Sequence, residues 1–226
     1  MIRAFPDLYP GELMYSGYAR YARCVGYPNL KSVMGELFGS RHIIASIPFA
    51  SHLDYFVAHQ PYIRRFTAES LIAEHTLLPF FTPFFPPERI KQLQVDMRGA
   101  NGPGIFMRAG LMASVVPSPL HLRYCPDCAR EDESRFGEKY WHRHHQIPGV
   151  SICHVHKVWL EHSDVQIHDR KTRHRFIAAD EALRLLTSSR SLDTSLLCDT
   201  LLFPRDAQRD VAATSIKRKE RSLMRR

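Results

Sequence analysis

Tyr124-Cys-Pro-Asp-Cys128 and Cys153-His-Val-His156 form two short ligand pairs, with residues 129–152 between them. Cys-x2-Cys answered by Cys-x2-His is the spacing a tetrahedral Zn²⁺ site requires. Each tight turn presents two side chains to one ion, and the intervening chain brings the pairs together. Thiolates and imidazole are preferred zinc ligands, and four of them close the coordination shell. Cys125, Cys128, Cys153 and His156 therefore predict structural rather than catalytic zinc. Binding free energy on the order of 10 kcal/mol then becomes folding free energy for this small unit. His154 competes for the fourth position, but it directly follows Cys153, which makes chelation of the same ion awkward. His156 is the better ligand.

Between the pairs, His142, His144 and His145 crowd around Arg143. A second metal would need further thiols or carboxylates in register, and none is evident. These imidazoles fit better as hydrogen-bond partners of backbone, as supports for the ligands, or as phosphate contacts. Runs of β-branched and aromatic residues over 121–161 suit a zinc-ribbon-like unit better than a helix.

The rest of the chain reads as mainly α. Leu13, Tyr15, Tyr18, Ala19 and Ala22 repeat at helical spacing, and Gly26-Tyr-Pro-Asn29 breaks the pattern. A second helix is expected over Leu30–Phe38, stopped by Gly39. Such a pair reads equally as a helix-turn-helix and as a plain αα-hairpin. Ser51 is expected to cap a helix over His52–Gln60. Thr67 and Ser70 make half a capping box for the stripe Leu71, Ile72, His75 and Leu78. The Phe- and Pro-rich stretch from Pro79 to Pro87 is expected to leave the helix and to pack rather than to expose its rings. Glu88–Arg98 reads as an amphipathic helix, Gly99–Gly104 as a flexible connection, and Asp180–Leu186 as helix-like. The expected organisation is a helix-turn-helix-like region over 1–118, a zinc module over 119–163, and a basic segment with a short helix over 164–226.

A length of 226 residues allows one domain with a substantial core or two small ones. A net charge of +8 favours an acidic partner, with nucleic acid first. Five cysteines are an odd count and not a disulfide framework; Cys24 and Cys198 are expected to be buried thiols. Without a secretory signal or a membrane-length apolar run, a reducing cytoplasm fits best and no membrane partner is expected. The chain has no Gly-x-Ser-x-Gly, Walker-type loop or His-Glu-x-x-His, and its carboxylates are scattered, so a non-enzyme is expected. Three basic patches are candidate nucleic-acid contacts: Arg143 with His144; Lys171, Arg173 and Arg175; and Lys217, Arg218 and Lys219. The terminal tract, without aromatic interleaving, reads slightly better as a solvated tail, and the middle patch, close to the zinc unit, is the better candidate for backbone contact.

The run Arg123-Tyr-Cys-Pro-Asp-Cys128, then Phe136-Gly-Glu, Tyr140-Trp-His-Arg, His145-Gln-Ile-Pro-Gly149 and Cys153-His-Val-His156, resembles the TniQ/TnsD family of transposon target-selection proteins. Pro10-Gly-Glu-Leu-Met-Tyr-Ser16 and Glu74-His-Thr-Leu-Leu-Pro79 are similar to it as well. The resemblance implies a non-nuclease accessory protein that recognises an insertion site on double-stranded DNA. Recognition runs either through direct sequence binding or through docking on an RNA-guided CRISPR effector complex. It also implies recruitment of a TnsC-like AAA+ ATPase, and it favours the helix-turn-helix reading. TnsD-type members continue much further with additional DNA-reading helices, so recruitment carries over more directly than sequence-specific binding. The rival is a zinc-stabilised transcription regulator that binds an operator and recruits nothing.

Overall fold

Glycine caps fix the ends of the first two helices. α1 (Met14–Val25) stops at Gly26, whose N–H donates to the Ala22 carbonyl from a left-handed conformation. α2 (Leu30–Phe38) starts at Asn29, whose side chain accepts from the Lys31 N–H at 2.9 Å, and ends at Gly39. Gly39 has φ 75°, and a Cβ there would lie 2.7 Å from the Tyr55 ring, so both backbone and packing require glycine. The expected helical pair is present with the expected bounds for its second member. This computed structural model describes residues 2, 4–60, 66–100, 102–111, 114–167 and 175–184. Cys198, Lys171, Arg173, Lys217, Arg218 and Lys219 lie outside them.

α3 (Leu53–Ala58) is shorter than the His52–Gln60 expected, and Ser51 is not its cap: His52 holds that position at φ 61°. α4 (Ala68–His75) carries a complete capping box rather than half of one. Thr67 Oγ1 accepts from the Ser70 N–H at 3.0 Å, and Ser70 Oγ accepts from the Thr67 N–H at 3.1 Å. A serine hydroxyl does what a glutamate does in the usual box.

The Phe- and Pro-rich stretch does not leave the helical region as expected. It forms α5 (Leu78–Phe81), a 3₁₀ turn (Thr82–Phe84), and then α6 (Pro87–Arg98). Proline is excluded from helix interiors, where it removes an N–H, but tolerated in the first turn, where the N–H has no partner anyway. Each proline here sits at such a start. Phe80, Phe81 and Phe85 pack against the core, whereas Phe84 is exposed. α7 (Gly102–Arg108) begins inside the stretch expected to be a connection.

β1 (His121–Tyr124) pairs antiparallel with β2 (Glu161–Gln166), matching Arg123 with His162 and Tyr124 with Glu161. Between them runs α8 (Pro126–Phe136), a helix where none was expected. Its signals are Cys125 as N-cap, Pro126 at the first position, Asp127 in the first turn and Gly137 at the C-cap. They were masked because only Cys128, Ala129 and Asp132 of α8 are buried, leaving no apolar stripe to read. Residues 179–184 are helical, beginning one residue before the Asp180–Leu186 expected; residues 185 and 186 lie outside the described residues.

One apolar core runs through the helical region and the β1–β2 unit. Tyr18 meets Phe38 and Phe56 edge to face at 5.1 and 5.7 Å, and Leu122, Ala129, Trp141 and Val165 join the same cluster. Cys24 is exposed, not buried: it lies beside Arg23 on the outward face of α1, where the apolar spacing no longer holds. No helix among the described residues is long and apolar enough to cross a membrane.

Candidate metal centre

Cys125, Cys128, Cys153 and His156 place their ligand atoms within 4.8 Å of one another. A tetrahedral zinc with bonds of about 2.3 Å to sulfur and 2.05 Å to nitrogen sets S···S edges of about 3.8 Å and S···N edges of about 3.6 Å. The Cys128 and Cys153 sulfurs are 3.6 Å apart. His156 Nδ1 lies 3.6, 3.3 and 3.8 Å from the sulfurs of Cys125, Cys128 and Cys153. These edges fit a single ion held by three sulfurs and one nitrogen. His154, the competing ligand, is exposed, with its ring 4.9 Å from that of His144.

Local backbone geometry makes each pair. The Cys125 sulfur caps α8 by accepting the Cys128 N–H at 3.5 Å, and the Cys153 sulfur accepts the His156 N–H at the same distance. The second turn closes through Lys157, which adopts φ 59° and donates its N–H to the Cys153 carbonyl at 2.9 Å. Ile152 then bridges to Trp159, and the hairpin so formed leaves Val155 and Trp159 exposed.

The electrostatics suit a shared cation. Burial and the neighbouring sulfurs push the Cys128 thiol far up, and burial raises Cys125. Burial also acts on Cys153, but N–H and ring hydrogen bonds from His156 outweigh it and draw the thiol down to about 7. Thiolates this close repel one another, and a divalent cation between them reverses that sign. His156 Nε2 lies 3.1 Å from a Glu131 carboxylate oxygen, which raises the imidazole and aims Nδ1 inward.

The loop after α8 ties this centre to the helical pair. Trp141 is 0% exposed; its backbone N–H donates to Ser16 Oγ at 3.0 Å and its indole N–H to the Ile177 carbonyl at 2.9 Å. The Trp141 carbonyl accepts the Leu13 N–H, the Gly11 carbonyl accepts the Arg143 N–H, and Glu12 bridges to His142. Gly11–Leu13 and Trp141–Arg143, remote in sequence, are therefore joined by an antiparallel bridge centred on Glu12 and His142. Behind them Arg20 pairs with Glu12 at 2.9 Å and Glu138 at 2.8 Å. Burial nevertheless pushes the Glu12 carboxyl up to about 7, against the pull of Arg20. Gln146 clamps β1 with both ends of its amide, accepting from the Arg123 N–H and donating to the Arg123 carbonyl.

Arg143 is half-buried; it donates to the Ala73 carbonyl at 2.5 Å and lies over the Phe80 ring. His144 is half-buried against Phe80, and burial together with Arg143 holds its pKa down to about 4, so it is uncharged at neutral pH. Both serve internal contacts. Arg175 is exposed. His142 donates its Nε2–H to the Asp132 carboxylate at 2.7 Å, and His145 is buried beside Cys128, where burial takes it to about 3. The sequence flagged these histidines as a group; their separate roles, and those of Trp141, Gln146 and Glu131, needed the fold.

The architecture defines a class: a helical protein with an inset Cys₃His cluster that could hold a metal ion, joined to a helical pair through an antiparallel bridge. A family model, TniQ, matches residues 3–160, and the chain belongs to the TniQ family. It is 34% identical over 181 residues to the transposon Tn7 transposition protein TnsD of Escherichia coli. That match covers 78% of this chain and 34% of TnsD, so the chain spans about a third of that relative's length.

Proposed function

We propose that the chain is a non-enzymatic target-selection adaptor in DNA transposition. It would engage double-stranded DNA at the insertion site, directly or through an RNA-guided effector complex, and recruit a TnsC-like AAA+ ATPase. The observation that carries this reading is the family match, which spans both the helical pair and the metal module. The likeness to TnsD, named as a transposition protein, supports it. The ion is zinc, held by Cys125, Cys128, Cys153 and His156. Three thiolates and an imidazole complete a tetrahedron and leave no position for a reactive water, so the metal's role is to brace a surface.

Within this reading the helical pair α1–α2 serves as the helix-turn-helix. Lys171, Arg173, Arg175, Lys217, Arg218 and Lys219 are the proposed phosphate contacts, with Arg175 in the most accessible described position. Arg143 and His144, drawn inward by Ala73 and Phe80, contribute indirectly by holding the loop.

The test is co-purification with the AAA+ ATPase of the same element, coupled to anisotropy titrations with duplex DNA at graded salt. The expected result is capture of the ATPase, and DNA affinity that falls steeply with salt. Replacing Arg175 with alanine is expected to reduce the slope of log K against log salt by about 1. Tight, operator-like DNA binding with no ATPase capture would instead establish a transcription regulator.

A further inference from the structure

Each sulfur of the set has a nitrogen beside it, but from different sources. Cys125 accepts from the backbone of Cys128, and Cys153 from the backbone of His156. The sulfur of Cys128 is met by a side chain, His145, whose Nε2 lies 3.8 Å away. His145 is 2% exposed, and its other ring nitrogen, Nδ1, has no hydrogen-bond partner. We infer that His145 is a positioning residue for the metal, donating Nε2–H to the Cys128 thiolate and thereby holding that ligand in place. The inference rests on the metal reading proposed above.

The tautomer follows from counting donors and acceptors. A proton on Nδ1 would leave a buried donor unpaired and turn the Nε2 lone pair toward the electron-rich sulfur; both are unfavourable. A proton on Nε2 gives the thiolate a donor and leaves only a bare lone pair unmatched. The ring has little freedom to choose otherwise. It sits in the 3₁₀ turn His144–Gln146, next to Gln146 with its two bonds to Arg123. On its other side the His142 ring lies 4.8 Å away, itself held by Asp132 from α8 at 2.7 Å. His145 thus links the loop that pairs with Gly11–Leu13 to a metal ligand.

The experiment begins with the 226-residue chain carrying one zinc per chain, in which long-range ¹H–¹⁵N correlation reads the His145 tautomer. The expected result is Nε2–H. With Co²⁺ in place of zinc, His145→Phe is expected to shift the sulfur-to-metal charge-transfer bands to lower energy, because the thiolate loses a hydrogen bond. Metal release to a chelator should accelerate about tenfold. His145→Gln, which can return an N–H near the same point, should restore both. Zinc at one per chain with an Nδ1–H tautomer would overturn the role of His145 alone. So would a folded Phe variant with unchanged bands, or a folded Gln variant that behaves like Phe. Failure of the wild-type chain to hold zinc would overturn the metal reading itself. Should the Phe variant not fold, the tautomer in the wild-type chain decides.

Discussion

Cys128→Ser is expected to abolish stoichiometric metal binding and to unfold the region from β1 to β2. Structural zinc contributes on the order of 10 kcal/mol of apparent binding free energy, comparable to the whole stability of an ordinary domain. The Cys128 sulfur lies 3.6 Å from that of Cys153 and 3.3 Å from His156 Nδ1. Serine there offers a poorer ligand, and it leaves two thiolates and an imidazole converging on a weakened site. The loss should spread beyond the ligands, because His145 packs beside Cys128 while its neighbour Gln146 clamps β1. Zinc content per chain and circular dichroism check this. A Cys128→Ser chain that keeps one zinc and the wild-type unfolding transition would show that the four residues are not the ligand set. Chelator treatment of the wild-type chain should reproduce the unfolding, and added zinc should reverse it.

The second large effect is expected at Trp141, the largest fully buried side chain. Truncation to alanine removes a whole indole from the core that joins the helical pair to the metal module. Such substitutions cost about 3–5 kcal/mol. At about 2–4 °C per kcal/mol for a domain of this size, the melting temperature should fall by about 6–20 °C. Trp141→Phe keeps most of the volume but leaves the Ile177 carbonyl without its indole donor, and should cost about 1–3 kcal/mol. A zinc-loaded Trp141→Ala chain with an unchanged melting temperature would contradict the claim that this segment joins the two parts. Zinc should remain bound in the phenylalanine variant, which separates loss of the joint from loss of the metal.

Local chemistry was the most legible layer of this chain. The clustering of Cys125, Cys128, Cys153 and His156 follows from turns only four residues long, and the ends of α2 from Asn29 and Gly39, so both could be read without knowing the fold. α8 was hidden because its caps were in the sequence but its face is polar, and hydrophobic periodicity is the signal a reader weighs first. The turns at Pro79 and Pro83 were hidden for a related reason, since proline marks both a break and a start, and only packing of Phe80 and Phe81 decides between them. Long-range pairing was not legible at all. Pro10–Ser16 and Tyr140–Arg143 stood out as separate motifs, and nothing local says that Leu13 bonds to Trp141. Cys24 departs from expectation for the opposite reason: its neighbours in sequence are apolar, but its position on α1 faces outward.

X-ray absorption at the zinc K-edge on the purified 226-residue chain tests the central claim most directly. A closed, structural Cys₃His centre predicts one zinc per chain, with three sulfur neighbours at about 2.3 Å and one nitrogen at about 2.0 Å. A first shell containing oxygen, or zinc well below one per chain in folded protein, would contradict it.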